Sequence, residues 1–365
     1  MASDVVTIEQ LEERPMTVEP RAIESEFTRI WRETAGGDND GSSIRLRTLN
    51  FVALANDGAA EGKFSDAMQL LVERHPCRGI LAVTSPEYSG LQASISARCW
   101  RTPGGSRHVC SEEVLLTGGV GQEQAVESAV LALLVPELPV AVWLIENADI
   151  SRLLDTEIIG TADRLFFDSA TAVDRRQAYR DIVRAGRDGD IELVDLSWAR
   201  LAAWRALCAQ FFDGADGMRQ LSQITSIEIE HGGASRGGEA LLLAGWVVSR
   251  LDLFIADVTQ SADGVRATFY ARSRGVDVSV STDGSELAAI RRVRIKTTEA
   301  EFSAQLHPES RHLHISEQWD AEAGRRTVES LPTDDASVIA AALDDYVDPK
   351  IYSDALTAAT SLLGD

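Results

Sequence analysis

The chain has 365 residues, with 57 acidic against 35 basic side chains, a net charge of −22 and 44% hydrophobic residues. That length suits two domains, and that apolar content a real core. So negative a field repels phosphate backbones and anionic lipid headgroups, which excludes a generic nucleic-acid or membrane-surface protein and leaves a protein partner as the easiest to accommodate.

Residues 1–40 read as an entry segment. The opening MASDVVTIEQLEERP has neither the basic start nor the apolar core of a signal peptide. Pro20 suits a first helical turn, and Ile23, Phe27 and Ile30 share one face of AIESEFTRIWRET. GGDNDG at 36–41 ends that helix.

Residues 41–213 read as an α/β domain with a mixed sheet. SIRLRTLNFVALA is strand-like, and FSDAMQLLVERH is helical, with Ser65 as its cap and Pro76 as its stop. GILAVTS is a short buried strand. LQASISARCW and RHVCSEEVLLTG alternate as strands around Pro103-Gly104-Gly105, a hairpin signal. GGVGQEQAVESAVLALL becomes a helix, and PVAVWLIE is a continuous apolar strand of the kind found in parallel sheets. The longest apolar stretch, Val130 to Ile145, is broken by Pro136, Glu137 and Pro139, and falls short of the ~20 apolar residues a membrane span needs. RLFFDSA is a further strand, followed by the helices DRRQAYRDIVRAG and LSWARLAAWRALCAQFF. The alternation predicts βαβ units.

FDGADG at 212–217 marks the domain boundary. Residues 214–365 read as an α+β domain rich in antiparallel strands: SIEIEH, the helix GGEALLLAGWVVSRL, then VRATFYARS, VDVSVST, RRVRIKTTEAEFSAQL, RHLHISEQW and RRTVES. One helix from ASVIAAALDDY onwards closes the chain.

No G-x-S-x-G or H-E-x-x-H is present, and His312 and His314 on one strand face match no zinc spacing. The sequence calls for no catalytic set, metal or cofactor. The loop GGASRGG (Gly232–Gly238) joins a strand to a helix, where Gly233, Ser235 and Arg236 could hold an anion. The competing reading, a glycine-permitted connector, is favoured, because glycine patterns without their full context are unspecific.

Four cysteines are too few for a disulfide scaffold and point to the cytoplasm. Cys77 lies beside Arg74, His75 and Arg78, which would stabilise a thiolate if the sulfur is exposed; the alternative is a buried small hydrophobe. If Gly104-Gly105 form a two-residue turn, residues whose numbers sum to 209 face each other, which opposes Cys99 to Cys110 within disulfide range. The pair is then either a reducible thiol switch or two unpaired strand cysteines. Trp198, Trp204 and Arg205 belong to a helix rich in the residues that dominate interface hot spots, so they are candidates for partner contact; the alternative is a core helix.

Together, DLSWARLAAWRALCAQFFD, PVAVWLIE, RLFFDSA, RHPCRGILAV and SIEIEHGG…GGEALLLAGWVVSRL resemble the glucose-6-phosphate dehydrogenase assembly protein family, OpcA, over roughly residues 45–350. Ala202-Ala203 depart from the more polar, Thr-Pro-like pair expected there. The resemblance implies a non-catalytic protein that binds glucose-6-phosphate dehydrogenase, favours its assembled oligomer and activates it. In photosynthetic bacteria it implies a link to thioredoxin. The rival reading is a nucleotide- or sugar-phosphate-binding α/β enzyme using the Gly232–Gly238 loop.

Overall fold

The structure, a computed structural model, describes residues 11–12, 16–35, 43–101, 108–145, 156–188, 191–233, 237–261, 264–271, 274–286, 289–307, 312–319, 322–329, 333–344 and 348–363. It forms two compact units. The first comprises Met1–Phe167, Asp190–Glu192 and Asp334–Asp344; the second comprises Asp168–Gly189, Leu193–Thr333 and Asp345–Asp365.

In the first unit the order is β1 (Leu11–Glu12), β2 (Met16–Val18), α1 (Ile23–Ala35), β3 (Ser43–Arg45), β4 (Leu49–Ala55), α2 (Ala60–Arg74), β5 (Cys77–Thr84), β6 (Leu91–Arg101), β7 (His108–Gly118), α3 (Glu123–Leu133), β8 (Val140–Leu144), α4 (Glu157–Gly160) and β9 (Arg164–Phe167). The strands lie in the order β1-β6-β7-β5-β4-β8-β9, with β2 also on β6 and β3 also on β7. From β7 to β9 all neighbours are parallel, and β6 returns antiparallel on β7. Strand β8 is buried along its whole length and β4 along nearly all of it, as parallel strands covered on both faces must be. Phe51 anchors this core, its ring 6.1 Å from Phe64 of α2 and 6.2 Å from Trp143 of β8. Ile23, Phe27 and Ile30 of α1 are all buried, on the face that their spacing predicts.

The second unit continues with α5 (Arg175–Asp188), β10 (Glu192–Asp195), α6 (Leu196–Arg200), α7 (Ala202–Gln210), α8 (Gly214–Leu221), β11 (Ile224–Gly232), α9 (Gly237–Arg250), β12 (Phe254–Ser261), β13 (Gly264–Ala271), β14 (Arg274–Thr282), β15 (Ala289–Thr297), β16 (Ala300–Leu306), β17 (His312–Trp319) and β18 (Glu322–Glu329). Its sheet runs β12-β13-β14-β11-β15-β16-β17-β18. Only β11 and β14 pair in parallel; the other neighbours are antiparallel. Two helices close the chain. The first, α10 (Asp335–Asp344), returns to the first unit against α2; the second, α11 (Pro349–Leu362), stays in the second unit against α9.

The α9–α11 contact depends on Gly245. A Cβ there would lie 2.3 Å from the Ala355 carbonyl oxygen and 2.7 Å from the Ala359 nitrogen, backbone atoms that cannot swing aside. Gly245→Ala is expected to cost about 2–3 kcal/mol by overpacking. Gly62→Ala in α2, where nothing lies within 4 Å, should instead gain about 0.5–1 kcal/mol. Urea unfolding of both variants checks the pair, and a loss at Gly245 no larger than at ordinary surface sites would refute the tight-packing account.

Several elements depart from their sequence signals. Helix α2 starts at Ala60, with the Asp57 carboxylate accepting from the Ala59 N–H, so Ser65 lies inside the helix and does not cap it. The segment 196–212 forms two helices broken at Leu201 rather than one. RRVRIKTTEAEFSAQL holds two strands, and β12 carries a mostly exposed pattern with no alternation to reveal it. The chain divides at Asp168, upstream of the composition shift at 212–217, because Tyr179 and Asp195 bond to groups from α9 and α11.

Candidate functional site

In the first unit the chain leaves β4 towards β5 on one side and comes back to β8 on the other. Open α/β sheets hold ligands at such a switch point, outside the C-terminal strand ends. A cavity of about 650 Å³ lies there, with a largely apolar lining that includes Leu54, Ala82, Val126, Ile145 and Ile158, and with Glu123 and Glu127 at its wall. Carboxylates of the chain accept from backbone N–H groups at or just before the helix starts around it. Glu123 accepts from the Gly121 N–H at 3.1 Å before α3, and Glu127 from the N–H groups of Glu157 (2.8 Å) and Ile158 (3.3 Å) at the start of α4. At α2, Asp57 takes the Ala59 N–H and the Tyr88 hydroxyl covers Gly58, where a Cβ would sit 2.8 Å from it.

In the second unit a buried polar cluster surrounds Asp195. Its Oδ1 accepts from the N–H groups of Ser169 (3.1 Å) and Ser197 (2.9 Å), and its Oδ2 from the hydroxyls of Ser169 (2.6 Å) and Tyr352 (2.7 Å). Burial pushes the Asp195 carboxyl up to about 6, and the nearby Asp168 charge adds to this against the hydrogen bonds from Ser169 and Tyr352. Arg200 is buried between Asp168 and Glu239, the latter at 2.7 Å; burial opposes its charge, but the two carboxylates hold it protonated. Tyr179 donates to the Gly238 carbonyl at 3.0 Å. These bonds tie the 3₁₀ turn Ser169–Thr171 to α6, α9 and α11, so the cluster's chemistry is directed at its own fold. Its one sequence signal is the cap Asp195-x-Ser197 at the start of α6, a pattern that by itself says only that a helix begins.

The predicted site residues fare unequally. Trp198, in the first of the two helices that meet at Leu201, and Trp204, in the second, are both buried and offer no surface. Trp198 meets Tyr352 at 5.5 Å, and Phe211 stacks on Phe302 at 5.3 Å. The half-buried Arg205 lies 3.6 Å over the Trp198 ring and donates to its carbonyl; burial pushes its guanidinium down to about 10. The exposure that a reactive Cys77 requires is missing: the sulfur is buried 3.8 Å from Met68 Sδ, and burial, aided by the Glu113 charge, suppresses the thiolate. Cys208 is buried too, its thiol pushed up to about 12.

Cys99 stands opposite Cys110 in the β6–β7 register, with Trp100 opposite Val109 and Arg101 opposite His108; the turn itself, 102–107, lies outside the described residues. Cys110 is buried and disulfide-bonded. Gly233 adopts a φ of +68° and donates its N–H to the Ser285 carbonyl, whereas Ser235 and Arg236 lie outside the described residues. Among the described residues no group of three or more His, Cys, Asp or Glu side chains could hold a metal, and no helix is long and apolar enough to cross a membrane.

Two family models match the chain. One describes the N-terminal domain of a glucose-6-phosphate dehydrogenase subunit and matches residues 69–184; the other describes the C-terminal domain of the same protein and matches residues 191–356. An OxPP cycle protein named OpcA from Synechococcus elongatus is 30% identical over 190 residues, which cover 50% of this chain and 41% of that protein. Its namesake from Nostoc punctiforme is 26% identical over 235 residues, 63% of this chain and 46% of that one. The chain therefore spans under half the length of the curated relatives it matches. Among solved structures, the 3-ketoreductase KijD10 from Actinomadura kijaniata, in complex with TDP-benzene and NADP, superposes with a TM-score of 0.53 at 12% identity, over 86% of this chain and 95% of that one. That likeness identifies the fold as Rossmann-like, and the order β7-β5-β4-β8-β9 agrees with it.

A dinucleotide does not fit the residues present. Its pyrophosphate needs free N–H groups at a glycine-bearing helix start. Here Asp57 and Glu123 accept from the Ala59 and Gly121 N–H groups just before α2 and α3, Glu127 accepts at the start of α4, and a pyrophosphate would meet the charge of all three.

Proposed function

Because the chain belongs to the glucose-6-phosphate dehydrogenase assembly protein family, OpcA, we propose that it is a non-catalytic cytoplasmic partner that binds glucose-6-phosphate dehydrogenase, promotes its active oligomer and raises its activity. The observation that carries this reading is the pair of family matches over residues 69–184 and 191–356. The acidic crevice supports it, since a dinucleotide's pyrophosphate would meet the charge of Asp57, Glu123 and Glu127 beside the helix starts. The net charge of −22 suits a partner with a basic docking surface. Activation follows if this chain binds the active oligomer more tightly than the inactive form; a coupling of about 1–3 kcal/mol shifts affinity roughly 5- to 150-fold.

We further assign Cys99 as the disulfide partner of Cys110, on the strength of their register and of Cys77 and Cys208 being free thiols. A dithiol reductant of the thioredoxin type would attack one sulfur as a thiolate and form a mixed disulfide. Its second thiol would then resolve it, leaving two thiols on this chain and the disulfide on the reductant. The change would loosen the β6–β7 hairpin and alter docking.

The test is a glucose-6-phosphate dehydrogenase assay at low substrate, with and without this chain, oxidised and reduced, with the dehydrogenase thiols held fixed. The expected result is a fall in apparent KM and a larger oligomer, both dependent on this chain. Cys99→Ser should remove any difference between the redox states. An unchanged rate, KM and oligomer size in either state would defeat the activator reading. Saturable stabilisation by NADP, together with turnover by this chain alone, would favour the enzyme reading instead.

A further inference from the structure

The eight-stranded sheet of the second unit has two unlike faces. Helices α9 and α11 pack against β11, β13 and β14, and the face turned to them buries Ile227, Ile229, Phe269, Val278 and Phe302. Strand alternation sends the residues between these to the opposite face. There the register sets Arg266, Ser279, Glu228, Arg294, Ser303 and Ser316 in one row across six neighbouring strands, each side chain exposed or half-buried. At one edge Phe254 and Tyr270 stand directly opposite each other on this face, 64% and 50% exposed. Eight strands ~4.8 Å apart, each contributing about six residues at a rise of ~3.4 Å, make a surface of roughly 800 Å². That is about the 800 Å² a stable interface takes from each partner.

Charge on this face is nearly balanced. In mid-sheet Glu228, Glu230 and Glu301 meet Arg292, Arg294 and Lys296. Arg292 pairs with Glu230, Arg294 with Glu228 at 2.9 Å and Glu301 at 3.2 Å, and Lys296 with Glu228 at 3.5 Å. Further out the register adds Asp257, Asp277 and Glu329 against Arg266 and Arg325. Six carboxylates against five cations leave this face only one of the 22 net negative charges of the chain. The remaining surface repels a second copy, and this face does not. The charges are also laid out in columns. The acidic column of β11 adjoins the basic column of β15, and the boundary between them is the middle of the sheet, with four strands on each side.

We propose that two copies of this chain pair through this face, related by a two-fold axis that runs along the strands between β11 and β15. The axis lays the Glu228–Glu230 column of each copy on the Arg292–Arg294–Lys296 column of the other, so the interface is its own complement. It sets β14 against β16, where Ser279 and Ser303 are small enough for two sheets to approach to about 10 Å. It also brings the Phe254–Tyr270 edge under β17 and β18 of the other copy, which covers the exposed aromatic pair. The pairing is independent of the dehydrogenase-partner role.

The test is sedimentation velocity of the full chain alone, from about 1 to 100 μM, where a dimer of micromolar affinity is expected. Ser279→Arg and Ser303→Arg should each weaken it about tenfold or more, because each drives an unpaired charge between the sheets. Arginine removes one of the net negative charges, so general repulsion cannot account for that loss. Ala206→Arg, on the exposed side of α7, makes the same change of charge away from the face and should leave the dimer intact. Hydroxyl-radical footprinting of the wild type needs no variant: Tyr270 should lose reactivity as the concentration rises. A monomer at every concentration, a dimer indifferent to both serine variants, or an unprotected Tyr270 would each overturn the proposal. Serine variants that lost only binding to glucose-6-phosphate dehydrogenase would overturn it too, and assign the face to that enzyme.

Discussion

Replacing Arg78 with methionine is expected to lower stability by about 3–5 kcal/mol, the cost of stranding a buried charge. Arg78 is 2% exposed. It donates through Nε to Glu112 at 2.8 Å, pairs through Nη1 with Glu24, and donates to the Leu133 carbonyl at 2.8 Å, with its Cζ 5.5 Å from the Phe27 ring centroid. One guanidinium thus joins α1, β5, β7 and the end of α3. Burial opposes its charge, but Glu24 and Glu112 hold it protonated. Glu112 is itself fully buried, and without Arg78 it keeps the Trp31 N–H at 2.8 Å and the distant Arg47 at 3.4 Å. Most of the loss is therefore the desolvated Glu112 charge. Adding Glu112→Gln to Arg78→Met should recover more than half of it in urea unfolding. A single variant within about 1 kcal/mol of wild type, or a double variant no better than the single, would show that the pair is not what holds α1 down.

Asp195 governs the second unit in a different way. Asp195→Ala leaves the Tyr352 hydroxyl, both Ser169 donors and the Ser197 N–H without their acceptor, at a cost of about 3 kcal/mol or more. Asp195→Asn should cost less, because Ser169 and Tyr352 hydroxyls can turn and accept from the amide that replaces Oδ2. The pH dependence has a definite sign. The folded carboxyl sits near 6 against the ordinary 3.8, so the folded state binds the proton more tightly than the unfolded one. The resulting stability is fully present below about 3.8 and is lost as pH rises through about 6, a change of about 3 kcal/mol for roughly two units. The asparagine variant has nothing to titrate there. The stability of wild type minus that of Asp195→Asn should therefore fall with rising pH, by roughly half of that amount between pH 5 and 7.5. A difference that rises with pH would mean that the hydrogen bonds outweigh burial and that the folded carboxyl lies below its ordinary value.

Legibility follows the range of the cause. The register that opposes Cys99 to Cys110 is readable because the sequence signal between β6 and β7 centres the pairing on Gly104-Gly105, and the observed register has that same centre. Strand β8 is readable because its continuous apolar run leaves no polar face to present to water. The two tryptophans are not readable in the same way. A hot spot and a core are written in the same residue types, and only packing, such as that of Tyr352 on Trp198, decides that both tryptophans face inward. The Asp195 cluster escapes a sequence reading because Tyr352 lies 157 residues from Asp195. No local pattern encodes a carboxylate whose partners arrive from α11.

By itself the sequence determined the elements and the family: apolar periodicity, turn glycines and the composition of whole segments act over a few residues and need no neighbour. Tertiary structure alone decided the division at Asp168, the burial of Cys77, and the placing of Asp57, Glu123 and Glu127 beside the helix starts at the switch point. The reason is that burial and charge pairing depend on what packs from afar. In a chain with 57 acidic side chains, which carboxylate caps a helix and which only faces water is settled by the packed neighbour and not by the local pattern.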